Sequence, residues 1–296
     1  MRFARHETFY FREGWLTKGL RKIEHENMKD VFQRDDAMEQ LGIGKNMVSS
    51  LRYWMQATGL TRETGSGKKQ QYLTEQFGKI IYEYDRFIED EFTLWLLHYK
   101  LATNKEMATT WYWFFNIFKH REFDEESFIN ELETYVKSQN QDIAIGSLKK
   151  DFDCLIGMYL SSNATKTCYN PEDNLGCPLQ ELGIIDILDA KKKRYCLTRR
   201  KVREMPRELF LFGILDYLRD RDNDKNISID LLLQDEKSIG RVFNLGLSEL
   251  IQILEMFQAE GLLHMTKTAG LNQVTLYTET TPEEIIIQYY QKKRVG

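Results

Sequence analysis

One stretch constrains the fold of this chain more than any other. Between Asp36 and Thr74, two helical runs meet at a glycine-flanked turn and lead into a basic hairpin. Ala37–Leu41 is a short amphipathic run, and Gly42-Ile43-Gly44 supplies the sharp turn. From Lys45 to Ala57 the apolar residues Met47, Val48, Leu51, Trp54 and Met55 recur at helical spacing. Gly59 suits the left-handed position that closes such a helix. Leu60–Thr64 and Gln70–Thr74 read as strands joined by Gly65-Ser66-Gly67-Lys68-Lys69. Helix, turn, helix and basic hairpin is the order of a winged helix-turn-helix, which lays its second helix in a DNA major groove with the wing beside it. The expected DNA contacts are Lys45, Asn46, Ser49 and Arg52 on that helix, with Lys68 and Lys69 on the wing. Protein-assembly modules use the same arrangement, so the pattern leaves that use open.

The pattern returns near the other end. Leu51-Arg52-Tyr53-Trp54-Met55-Gln56-Ala57-Thr58-Gly59-Leu60 aligns with Ile253-Leu254-Glu255-Met256-Phe257-Gln258-Ala259-Glu260-Gly261-Leu262, sharing Gln, Ala, Gly and Leu. A second wing is expected over Leu263–Thr268, a tip at Ala269–Asn272, and Val274–Tyr277. Its helix before the turn would cover Asp230–Leu233, supported by a longer helix over Arg207–Arg219. The copies differ in charge, because the second offers Ser248, Glu249, Gln252 and Glu255. Phosphate repels that set, so the first copy is the expected DNA reader and the second an assembly surface.

A chain of 296 residues, 42% hydrophobic and 29% charged, has room for two or three domains. Only 4 prolines interrupt it, and strand-like alternation is sparse, so a mainly α-helical protein is expected. No apolar run approaches the roughly 18 residues of a membrane span, and Met1–His6 lacks the apolar core of a signal peptide. Cys154, Cys168, Cys177 and Cys196 are too irregular for a zinc ribbon and too sparse for a secreted disulfide scaffold, as in a cytoplasmic protein with reduced thiols. The net charge of −4 is unfavourable for a nucleic-acid binder, so affinity must come from local clusters. One such cluster is the N-terminal segment with Arg2, Arg5, Arg12, Lys18, Arg21 and Lys22. Another is the tip Lys191-Lys192-Lys193-Arg194 between strands predicted at Ile184–Leu188 and Tyr195–Thr198.

The middle of the chain reads as consecutive helices over Glu75–Arg86, Phe87–Lys100 and Ser147–Leu160, with Asp124 capping another. Trp111–Phe118, with six aromatics in eight residues, reads as a buried core helix. The polar run Ser161–Pro178 reads as a loop or linker. The expected architecture is two winged helix-turn-helix modules flanking a helical middle domain. The divisions fall at 1–75, 76–165, 166–205 (loop and basic hairpin) and 206–296.

The densest cluster of reactive residue types lies in Arg5-His6-Glu7-Thr8-Phe9-Tyr10-Phe11-Arg12, where a histidine, a carboxylate and two arginines fall within eight residues. A His–Glu pair performs general acid–base work and arginines neutralise phosphate. On a strand, however, His6 and Glu7 point to opposite faces, and the bland alternative is a strand packed on the first winged helix. The candidate catalytic set is His6, Glu7, Arg5 and Arg12, acting with a divalent ion such as Mg2+ or Mn2+. Walker A, HExxH, GxSxG and paired CxxC signatures are absent. Asp151 and Asp153 superficially suggest a metal-nuclease cluster, but on a helix their carboxylates diverge.

The N-terminal run, the first winged helix, Leu148-Lys149-Lys150-Asp151-Phe152-Asp153-Cys154 and Cys177-Pro178-Leu179-Gln180-Glu181-Leu182-Gly183 together resemble a bacterial family. That family is a domain of unknown function encoded beside DNA phosphorothioation genes, and it includes the B component of the Ssp (single-strand phosphorothioation) systems. The resemblance covers most of the chain. It implies a DNA-acting, nicking component of a modification and defence system. It also implies as partners a cysteine desulfurase, an ATPase and an enzyme related to phosphosulfate reductases. It brings no catalytic residues with it. Two other readings stay open: a non-catalytic winged-helix DNA-binding regulator, and an assembly adaptor.

Overall fold

The structure is a computed structural model that describes residues 1–65, 67, 69–160, 176–219, 221, 225–268 and 271–295. It is mainly helical, as expected, and its chain divides into two units. The first comprises residues 1–114 and 118–198, the second residues 115–117 and 199–296.

The first unit opens with a run of turns, followed by α1 (Trp15–Leu20), which continues as a π-helical turn over Arg21–His25. Helices α2 (Ala37–Leu41) and α3 (Lys45–Ala57) meet at Gly42, whose φ of 63° places it in the left-handed region. Strands β1 (Thr61–Thr64) and β2 (Gln70–Leu73) pair antiparallel, with Thr61 opposite Leu73. Sequence spacing predicted these four elements because the apolar face of α3 is unambiguous. Val48, Leu51, Trp54, Met55 and Ala57 are all buried, while Lys45, Asn46 and Ser49 are exposed. Packing is close enough to exclude side chains at two glycines. A Cβ on Gly19 of α1 would come within 2.8 Å of the Met55 sulfur. One on Gly78 would meet the Leu60 carbonyl oxygen at 1.9 Å.

Helices α4 (Gly78–Tyr84), α5 (Glu91–Thr103), α6 (Thr109–Asn116), α7 (Glu125–Ser138) and α8 (Ile145–Tyr159) follow. Every residue of α5 from Phe92 to Tyr99 is buried, which fits a helix apolar on all sides. Trp111, Tyr112, Trp113 and Phe114 of α6 are core residues, as their composition predicted. Asp124 caps α7 through a reciprocal capping box with Ser127. Strands β3 (Glu122–Phe123), β4 (Ile185–Asp189) and β5 (Arg194–Leu197) form an antiparallel sheet in the order β3-β5-β4.

The second unit contains α9 (Arg207–Arg219), β6 (Asn226–Ser228), α10 (Ile229–Gln234), α11 (Ile239–Val242) and α12 (Leu247–Ala259). It ends with β7 (Leu263–Thr268), β8 (Leu271–Leu276) and α13 (Pro282–Val295). Its sheet runs β6-β8-β7. The helix expected over Asp230–Leu233 is α10, but a further short helix, α11, stands between it and α12. Ser228 and Ser238 each cap one of the two short helices, so the segment breaks rather than running through.

The N-terminal run corrects another expectation. Residues 4–8 are turns rather than a strand, and Ala4, Glu7 and Thr8 all have positive φ, at 50°, 50° and 67°. Ser66 and Lys68 of the first wing, residues 161–175 of the predicted linker, and 269–270 of the second tip lie outside the described residues. Among the described residues no helix is long and apolar enough to cross a membrane. Cys154, Cys177 and Cys196 are free thiols.

Candidate functional site

The turn at residues 4–8 is fixed by contacts distant in sequence. His6 is fully buried, and its Nε2 lies 2.9 Å from Asp151 Oδ1 on α8. The Ala4 amide donates to the same carboxylate oxygen at 2.7 Å, and the Thr110 hydroxyl donates to Oδ2. Asp151 therefore accepts from three donors while itself 1% exposed, which meets the requirement that a buried carboxylate be compensated. Aromatic rings close the box. The imidazole stacks on Trp54 at 5.8 Å and 15°, and meets the edge of Trp111 at 5.8 Å and 79°. His6 Nδ1 and Trp111 Nε1 are buried without a hydrogen-bond partner. Burial, and then the Asp151 carboxylate, push the Tyr53 hydroxyl and the Cys154 thiol well above their ordinary pKa values.

Helix α3 anchors the other side of the turn. Ser50 Oγ and Trp54 Nε1 both donate to the Phe9 carbonyl at 2.9 Å, and Phe11 packs its ring against Trp54 at 5.6 Å. Glu7 and Thr8 form the two central residues of a tight turn closed by the Phe9 amide donating to the His6 carbonyl at 2.8 Å. Two successive left-handed residues ordinarily call for Asn or Gly, so this turn holds strain that the buried His6–Asp151 pair and α3 sustain.

The predicted catalytic residues therefore separate. His6 points inward to Asp151, whereas Arg5 and Glu7 are exposed on the turn, so His6 and Glu7 do not face each other. Arg12 is half-buried and lines a hollow of about 430 Å³ with Glu13, Thr17, Phe87, Glu89 and Glu181. Asp151 was legible only as half of an Asp151/Asp153 pair. Its real partner stands 145 residues away, and Asp153 is exposed.

The predicted DNA contacts divide as well. Lys45, Asn46 and Ser49 stand exposed on α3, and the Lys18 amine lies beside the Gly42 turn. Arg52 is turned toward the hairpin, with Nε donating to Glu63 Oε2 at 2.7 Å, and Lys69 reaches the other Glu63 oxygen at 3.2 Å. Against burial, which pushes the Glu63 carboxyl up, Arg52 and then Lys69 hold it below its usual value. Lys68 lies outside the described residues. At the β4–β5 tip, Lys191, Lys192, Lys193 and Arg194 are all exposed, and Arg194 pairs with Glu122 at 2.9 Å. Asp189 accepts from the Lys191 and Lys192 amides, which shapes the tip. Among the described residues, no group of three or more His, Cys, Asp or Glu side chains is arranged to hold a metal.

A family model described as "Protein of unknown function (DUF4007)" matches residues 3–290, nearly the whole chain. The chain belongs to the DUF4007 family. Among solved structures it is similar to "Magnesium ion-bound SspB crystal structure", with 27% identity and a TM-score of 0.83 over 98% of this chain and 87% of that one. It is also similar to "SspB crystal structure", with 26% identity and a TM-score of 0.82 over the same shares. SspB is the B component named by the sequence resemblance, so that resemblance holds for fold and sequence alike. No curated protein matches the chain.

Proposed function

We propose that this protein is the DNA-binding component of a bacterial DNA phosphorothioation system, and that α2, α3 and the β1–β2 hairpin engage duplex DNA as a winged helix-turn-helix. The observation that carries this reading is the exposed face of α3. It presents Lys45, Asn46 and Ser49, which suit phosphate and base-edge contacts, and its first turn contains no acidic residue. The corresponding face of α12 instead carries Glu249 and Glu255 beside Leu247, which is 54% exposed. That second face suits association with a protein, and the cysteine desulfurase, ATPase and phosphosulfate-reductase-like proteins of such a system are its proposed partners.

Strand cleavage is proposed for the turn that α3 supports. Arg5 and Glu7 are its exposed reactive groups and Arg12 lines the neighbouring hollow, while His6 holds the turn through Asp151 and acts as a positioning residue. A magnesium ion is named for one of the SspB structures, which makes Mg2+ the ion to supply in an assay. The described residues offer no cluster of three or more His, Cys, Asp or Glu side chains to hold it. A duplex-binding titration at several salt concentrations tests the DNA-binding reading. A linear fall of log affinity with log salt supports it, and no measurable duplex binding at low salt overturns it. Relaxation of supercoiled plasmid with Mg2+ or Mn2+ then separates a nickase from a non-catalytic regulator.

A further inference from the structure

Phe87 is 62% exposed, the only strongly exposed phenylalanine among the described residues, although solvent exposure of so large an apolar ring is unfavourable. Its position follows from a strained turn. Ile88, the next residue, is β-branched yet has φ 59°, and its side chain is buried. Asp85 clamps this turn, accepting from the Glu89 amide at 3.2 Å, the Asp90 amide at 3.1 Å and the Thr93 hydroxyl. Thr17 Oγ1 donates to the Phe87 carbonyl at 3.2 Å. Burying Ile88 in this conformation turns Phe87 outward, and strain of this kind persists only where surrounding contacts enforce it.

Phe87 borders a hollow of about 300 Å³ whose other walls are Tyr82, Leu20, Thr17, Arg21, His25 and Arg86. The Arg86 guanidinium lies 5.4 Å from the centre of the Tyr82 ring. Two aromatic rings thus stand among two arginines and a histidine. Among the described residues no carboxylate lines the hollow, and Arg21 Nε pairs with Glu26 at 3.1 Å. Phe87 and Thr17 also line the larger hollow that contains Arg12, so the two hollows share one wall. Aromatic faces beside cations, in a space at the small end of ligand pockets, match a nucleobase with its flanking phosphates.

We propose that Phe87 and Tyr82 stack an unpaired base of single-stranded DNA, with Arg21 and Arg86 on the adjacent phosphates. This inference rests on the DNA-binding reading above and adds a second, strand-selective site distinct from the α3 face. Anisotropy titrations of the full chain with an oligothymidine, an abasic strand of equal length and a duplex test it. Wild type should bind the oligothymidine more tightly than the abasic strand. Phe87→Ala should weaken oligothymidine binding by roughly tenfold, within the range of loss for one stacked base. The same variant should leave duplex binding unchanged and abolish the preference over the abasic strand, and Phe87→Trp should restore it. Equal wild-type affinity for oligothymidine and abasic strand, or an unaltered preference in Phe87→Ala, overturns the base site while leaving duplex binding standing. A wild type that binds neither duplex nor single strand overturns both readings.

Discussion

His6 Nε2 and Asp151 Oδ1 meet at 2.9 Å with each side chain only 1% exposed, so one buried pair ties the N-terminal turn to α8. Removing one member of such a pair strands the donors or acceptors of the other. Asp151→Ala leaves the Ala4 amide, the Thr110 hydroxyl and His6 without their acceptor, and should cost about 3–5 kcal/mol in urea unfolding. His6→Ala should cost less, about 2–3 kcal/mol, because Asp151 retains two donors. Exposed Glu7→Gln should stay within about 0.5 kcal/mol of wild type. Equal stability of all three variants would remove the buried pair as the anchor of the turn.

Thr8→Gly should stabilise the protein by about 1 kcal/mol. Thr8 is β-branched with φ 67°, a conformation glycine adopts without a Cβ clash. A raised urea midpoint is expected at unchanged denaturant dependence. A lowered midpoint would show that the Thr8 side chain contributes more than the strain it imposes.

The same turn shows where sequence reasoning stops. α3 and the hairpin were legible because Val48, Leu51, Trp54 and Met55 repeat at helical spacing and Gly59, at φ 74°, closes the helix. The expected strand at His6 proved to be a turn because its hydrogen bonds go to Asp151, Ser50 and Trp54, partners set by tertiary packing alone. The Glu63 partner of Arg52 was not legible for a related reason. Only the hairpin register puts Glu63 in front of it. The two-residue strand β3 is recruited by β5 and has no pattern of its own. α13, by contrast, carries acidic residues at its start and Lys292, Lys293 and Arg294 at its end, a helix signal present in the sequence itself.

The cap of α7 predicts an acid response. The Ser127 amide, followed by the Ser127 hydroxyl, holds the Asp124 carboxyl below its ordinary value. Its folded pKa is depressed, so its stabilisation is fully present above the unfolded value near pH 4 and is lost as pH falls through the lower folded one. Asp124→Ala should cost about 1 kcal/mol at neutral pH, a typical N-cap loss. The gap from wild type should narrow as pH drops below about 4. A gap independent of pH would assign the loss to packing instead.

Gln252→Ala with Glu255→Ala should leave duplex affinity within about twofold, since the α12 face has no role in phosphate contact on this account. Co-purification with system partners is where these changes should register. A large loss of duplex binding by this well-folded variant would invert the assignment of the two faces.

Duplex binding through α3 is tested most directly by comparing wild type with Lys45→Glu across a salt titration. Lys45 is the first residue of α3, where an acidic side chain favours the helix dipole by about 0.3–1 kcal/mol, so weakened binding cannot be ascribed to a weakened helix. The predicted result is a higher Kd at low salt, with the slope of log affinity against log salt reduced by about one. Identical Kd and slope for the two proteins would contradict the placement of α3 on DNA.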